Sequence, residues 1–257
     1  MIGMQNVSLQ RGDKLILDDV NIQMGKDENW VILGRNGSGK TTILEMMMGY
    51  LFPTKGKVNV LDYTYGECDV REVRKEIGYI SQTLIEKLAL KDPVWEVVAT
   101  GAYAFLRFYQ HILDEVKEEA HAKLADIGFS HLAQQPFGTL SQGERKKVLL
   151  ARSLMAHPKL LIMDEPCAGL DLYERENMLQ AVDNLRKQDI AIVYVTHHIE
   201  EIMPLFTHIA LIKDGKVAAA GPKKEVLTKE TIMETYGISV ELDWFHERPW
   251  IRVCSGG

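Results

Sequence analysis

No stretch of this sequence approaches the roughly 18–20 consecutive apolar residues that a helix needs to cross a bilayer. Any role at a membrane therefore has to run through a partner. Cysteine is scarce. Cys68, Cys167 and Cys254 are odd in number and far apart, which excludes a disulfide framework and metal-ligand spacing and points to a reducing compartment. There is no long basic run and the formal net charge is −6, which weighs against a nucleic-acid binder working by bulk electrostatics. The first residues, Met1-Ile2-Gly3-Met4-Gln5-Asn6, lack the basic-then-apolar order of a signal peptide. Repeats, low-complexity tracts and long linkers are missing too. What remains is a chain of 257 residues, 46% hydrophobic and 26% charged. That is an ordinary globular composition, and the chain is long enough to bury a sizeable core in one large or two small domains.

One short stretch organises the rest. Gly34-Arg35-Asn36-Gly37-Ser38-Gly39-Lys40-Thr41-Thr42 fits the phosphate-loop pattern G-x-x-x-x-G-K-[ST] at every fixed position. Apolar Trp30-Val31-Ile32-Leu33 precedes it as a buried strand, and Ile43-Leu44-Glu45-Met46-Met47-Met48 follows as a helix. A strand feeding a Gly-rich turn into a helix aims backbone N–H groups and the positive end of the helix dipole at one point, which suits polyphosphate. In this pattern Lys40 reaches the β- and γ-phosphates, and the Thr41 hydroxyl ligates Mg²⁺.

Around that unit the sequence predicts strands over residues 4–24, with a turn at Arg11-Gly12-Asp13, and over 56–61. Together these suggest a small antiparallel sheet. Residues 77–80 read as a short buried strand. From about residue 89 to 150 the pattern is helical: Asp92 is placed to cap a helix with Pro93 at its first position, 114–127 is amphipathic, and a third helix starts near Ser141. Residues 160–163 and 190–195 are near-continuous apolar runs, as parallel strands buried on both faces require, with a helix over 173–187 between them. Residues 209–212 and 216–218 flank the turn Lys213-Asp214-Gly215, a hairpin signal. Trp244, Phe245, Trp250, Ile251 and Val253 suggest a final strand pair.

A phosphate loop alone suits kinases, GTPases, helicases and transport ATPases, so the second acidic motif matters. Leu160-Leu161-Ile162-Met163-Asp164-Glu165 is an apolar strand ending in two carboxylates. Ligands of open parallel sheets bind at the carboxyl ends of strands. Asp164 is placed to hold Mg²⁺, and Glu165 to polarise a water for attack on the γ-phosphate. Leu140-Ser141-Gln142-Gly143-Glu144 has two compatible readings. It is a helix capping box, with Ser141 at the N-cap and Glu144 three residues on, and a helix start of that kind is a good anion site.

The order of these motifs resembles the nucleotide-binding subunit of ABC transporters over nearly the whole chain. The resemblance implies an α/β fold: a P-loop NTPase core with a mostly parallel sheet, an antiparallel β subdomain and an α-helical subdomain. It implies one cassette over 1–257, with β and phosphate-loop parts in 1–88 and 151–220, the helical subdomain in 89–150, and a C-terminal helix/strand extension in 221–257. It also assigns Gln82 as the Q-loop glutamine, a Mg²⁺ ligand acting in catalysis, and Ser141 and Gly143 as signature residues. Glu165 becomes the catalytic base, Asp171 the D-loop aspartate, and His197 the switch histidine bonding the γ-phosphate and attacking water, with His198 structural. Two such subunits, a homodimer in the simplest case, would pack head to tail around two ATP molecules, each site joining Lys40 of one to Ser141 of the other. The implied partner is an integral membrane permease, with the subunit on its cytoplasmic face and no direct contact with nucleic acid.

Some features depart from the family pattern. Gln142 and Glu144 stand where the commonest signature has Gly and Gln, and Cys167 replaces a frequent Thr. No aromatic residue lies near Arg11 to stack on adenine, so either the Arg11 guanidinium covers the base or it is an exposed turn arginine. Residues 97–106 resemble importer ATPases of the iron-complex and cobalamin type, and 195–202 are similar to ATPases associated with molybdate transport. Tyr103, Phe105, Phe108 and Tyr109 either line a groove for a permease helix or pack within the subdomain. The rival classes are a soluble ABC-type ATPase acting on nucleic acid or ribosomes, and a nucleotide-responsive module without turnover. A single phosphate loop and the absence of sustained heptads speak against the first, and Glu165 and His197 against the second.

Overall fold

The computed structural model describes residues 1–109 and 111–254. Residue 110 of the expected helical subdomain and 255–257 of the expected extension lie outside them. The chain divides into two compact units, residues 1–74 with 191–257, and residues 75–190.

The first unit holds two main sheets. One is antiparallel, in the order Lys14–Met24, Ile2–Arg11, Lys55–Val60, Tyr63–Thr64. Of its inward residues, Ile2, Met4, Val7, Leu17, Val20 and Val60 are at most 1% exposed. The other runs Lys216–Pro222, His208–Lys213, Trp30–Gly34, Ala191–Thr196. The first pair there is an antiparallel hairpin, and Trp30–Gly34 is parallel to both of its neighbours. All five residues of Trp30–Gly34 and all six of Ala191–Thr196 are buried. That is why these strands carry unbroken apolar runs rather than alternation. The tail forms the expected strand pair, Val240–Phe245 with Arg248–Val253.

The second unit pairs Ile77–Ile80 in parallel with Leu160–Asp164, Ile80 opposite Met163. Its main helices are Val94–Ala99, Asp114–Asp126, Gln142–Leu154 and Leu172–Asp183, the last continued by a 3-10 turn over Asn184–Lys187. Asp114–Asp126 buries Ala120 and Leu124 on one face, as its spacing predicts. Gln142–Leu154 buries most of its length, including Arg152. The Arg152 guanidinium donates to Thr100 Oγ1 at 2.9 Å and to the Phe105 carbonyl at 2.6 Å. Burial pushes it down to about 10. Among the described residues no helix is long and apolar enough to cross a membrane.

Two expectations need correction. Asp92 does not cap a helix. Pro93, extended at ψ 148°, is itself the N-cap of Val94–Ala99 and has no side-chain cap bond. The Asp92 carboxylate, one residue too early, pairs with Arg107 at 2.9 Å. The segment from 89 to 150 is less helical than its composition implies. A 3-10 turn over Thr100–Tyr103 ends at Ala104 in the left-handed region, and among the described residues no further helix begins until Asp114. Short helices over Val70–Lys75 and Gln82–Lys87 were not signalled by the sequence, whereas the helix over Lys229–Tyr236 falls within the expected C-terminal helix/strand extension.

Candidate nucleotide site

In the first unit the phosphate loop leaves the strand Trp30–Gly34 and enters the helix Lys40–Met47. Gly34 is fixed by close approach: a Cβ there would stand 2.3 Å from the Ile212 carbonyl oxygen and 2.8 Å from Ser38 Oγ. Gly39 is the helix N-cap at φ 107°, a conformation closed to other residues without strain. The loop is held from outside by the 214–215 turn, where Gly215 N–H donates to the Ser38 carbonyl at 2.9 Å. Lys40 is 5% exposed. Its ammonium donates to the carbonyls of Gly34 at 2.8 Å and Arg35 at 3.0 Å, so the cation already sits at the loop. Ser38 Oγ is buried without a hydrogen-bond partner. Arg35, Asn36, Gly37 and Thr41 are exposed and Thr42 is half-buried. A buried cation, an orphaned hydroxyl and an exposed loop rim fit a phosphate chain. Gly34→Ala, with its Cβ driven into the 208–213 strand, is expected to cost about 1–3 kcal/mol and lower the thermal midpoint, read by calorimetry.

His197 belongs to the same unit. It follows the strand Ala191–Thr196, whose Thr196 lies opposite Leu33 in parallel register. His197 and the start of the loop at Gly34 are thus at the carboxyl ends of neighbouring strands, where sheet ligands bind. The His198 ring lies 4.1 Å from the His197 ring, and His198 Nδ1 is 3.5 Å from Glu200. Arg11 is exposed at the end of its strand.

The second unit gathers the other named residues. Gln82 follows the strand Ile77–Ile80 and opens the helix Gln82–Lys87, capped by Ser81. Asp164 ends the neighbouring parallel strand, so Gln82, Asp164 and Glu165 lie at one edge. Glu165 has φ 46°, a left-handed conformation unusual for a side-chain-bearing residue. Strain of this kind costs about 1–3 kcal/mol and clusters at functional sites. Asp164 and Glu165 are both half-buried, and Cys167 is packed in the core.

The capping-box reading of Ser141 is borne out by the local geometry. The Glu144 carboxylate accepts from Ser141 N–H at 2.7 Å, and Ser141 Oγ accepts from Glu144 N–H at 3.2 Å, a complete capping box. Ser141 is exposed and Gly143 buried. Asp171 caps the next helix, accepting from Glu174 N–H at 2.9 Å. Sequence reasoning passed over Lys146. It is 2% exposed, and its ammonium donates to the Ala168 carbonyl, tying the signature helix to the segment that carries Asp171. Its position one turn beyond Gly143 was the available signal. Tyr103 stacks on Phe105 and Phe108 meets both edge-on, with centroids 5.7–6.0 Å apart, whereas Tyr109 is 91% exposed.

The profile of the ABC transporter family matches residues 17–168. An uncharacterized ABC transporter ATP-binding protein of Bacillus subtilis (strain 168) is 39% identical over 254 residues, 98% of this chain and 96% of its own. Among solved structures, cbiO1 from Clostridium perfringens, part of the ABC transporter complex cbiONQ, superposes with a TM-score of 0.78. It is 26% identical and covers 91% of this chain and 92% of its own. A dimeric ATP-binding cassette in a post-hydrolysis state with ADP and Pi superposes with a TM-score of 0.74 at 25% identity, over 86% of this chain and 98% of its own. With the P-loop fold, the motif order and these matches in agreement, the chain belongs to the ABC transporter family as an ATP-binding subunit, and it is an ATPase.

Proposed function

We propose that two copies of this chain pack head to tail around two ATP molecules and drive a membrane permease from the cytoplasmic face of the membrane. The phosphate loop, residues 34–42, binds the ATP phosphates, with Lys40 on the β- and γ-phosphates. Thr41, Gln82 and Asp164 would hold Mg²⁺, which would neutralise charge on the phosphate oxygens. Glu165 takes the proton of the attacking water, and His197 bonds the γ-phosphate and that water. Ser141, Gly143 and Asp171 serve the nucleotide bound by the other subunit. The chain acts as one cassette over 1–257.

The observation that carries this reading is the exposed, preformed N-terminus of the 13-residue helix Gln142–Leu154. Its capping box leaves the positive end of the helix dipole facing outward, and an anion from outside the subunit completes it. A further support is that one structural neighbour is a dimer bound to ADP and Pi and another is part of a transporter complex. The direct test is recovery of the tagged chain from detergent-solubilised membranes of its native host. The expected result is co-purification of a protein with several apolar spans of about 20 residues. Recovery with ribosomes or nucleic acid and without such a protein favours the soluble class.

A further inference from the structure

A carboxylate lies buried four residues after His197, against the strand that ends in Thr196. Glu201 is 2% exposed. It closes the one-turn 3-10 helix Ile199–Glu201, which folds the chain back on the strand it has just left. Its Oε2 accepts from the Tyr194 hydroxyl at 2.9 Å and from Thr196 Oγ1 at 2.7 Å. Because the Thr196 proton points to Glu201, the Thr196 oxygen is free to accept. It does so from His198 N–H at 3.0 Å. That N–H belongs to the peptide joining His197 to His198. The Arg248 guanidinium donates to the Glu200 carbonyl at 2.6 Å, so the turn bearing Glu201 is itself clamped.

We propose that Glu201 is a positioning residue for His197, acting through the Thr196 hydroxyl. Burying a carboxylate is costly, and an apolar side chain of similar volume fills such a space more cheaply. What the carboxylate adds is direction. It sets the Thr196 hydroxyl so that the oxygen grips the peptide after His197. The residue before His197 is fixed by sheet register, Thr196 opposite Leu33. His197 is therefore anchored on both sides, at the edge where the phosphate loop begins. The proposal rests on the role given above to His197.

The test uses the full chain. Thr196→Val removes the hydroxyl and keeps the shape of the side chain, and Glu201→Gln keeps size while weakening the acceptor. Each is expected to lower kcat on the order of 10- to 100-fold. KM for ATP should stay within about twofold, because misplacement of His197 harms the transition state more than ground-state binding. Each should also displace the His197 ring signals in NMR spectra, identified by their loss in His197→Ala, while those of His157 stay in place. Thr196→Ser should restore both readouts. If Glu201→Gln fails to fold, Thr196→Val and Thr196→Ser decide alone. A lowered thermal midpoint with kcat and the His197 signals unchanged gives Glu201 a packing role only and overturns the proposal. Full turnover in His197→Ala overturns the role of His197, and the proposal with it. An inactive His197→Ala beside unmoved His197 signals in Thr196→Val overturns the proposal alone.

Discussion

Glu165→Gln is expected to bind ATP, accumulate as a closed dimer and lose turnover by about 100- to 10,000-fold, the range that a general base supplies. The carboxamide has nearly the same shape but takes up no proton. Glu165 directly follows a buried strand and holds φ 46° whether its side chain is an acid or an amide, so the substitution leaves backbone strain where it was. Loss of rate with the fold intact therefore reports on chemistry. Steady-state phosphate release measures the rate, and size-exclusion chromatography with ATP measures the dimer. A variant that hydrolyses ATP at the normal rate removes Glu165 as the base.

Much of this arrangement was legible because burial on both faces writes itself into composition. Residues 30–33, 160–163 and 190–195 read as strands from unbroken apolar runs, and each proved to be one. The hairpin at Asp214-Gly215 and the capping box of Ser141 and Glu144 were legible for a local reason, since a few adjacent residues determine them. The short helices were not. Val70–Lys75 and Gln82–Lys87 each bury one residue, Val73 and Ile85, and one buried position carries no period. Asp92 before Pro93 looked like a cap because the pattern is local, but a tertiary partner, Arg107, took the carboxylate.

The site divides in the same way. Lys40 and the loop glycines follow from a pattern whose spacing is itself the chemistry. The left-handed backbone of Glu165 could not be read, because glutamate has no preference for it. Lys146 and Glu201 look like solvated surface residues in one dimension. Only packing shows them at 2% exposure with designated partners.

The central claim is that each ATP site is shared between two chains, and paired defects test it with a large effect. Lys40→Ala removes a buried ammonium that lies at the loop, 2.8 Å from the Gly34 carbonyl. A charge-assisted contact of this kind contributes about 1.5–3 kcal/mol, so nucleotide binding and turnover both fall. Ser141→Arg places a bulky cation at the exposed cap of the signature helix and blocks approach of a phosphate there. Each homodimer carries a defect in both of its sites and should be inactive. In the mixed dimer one site carries both defects and the other carries neither. The measurement is ATP hydrolysis by an equimolar mixture of the two variants, with mixed dimers verified through two affinity tags. Random pairing of subunits leaves about one quarter of all sites intact. The account predicts that activity absent from either variant alone appears on mixing, near that level. Verified mixed dimers with no activity contradict it.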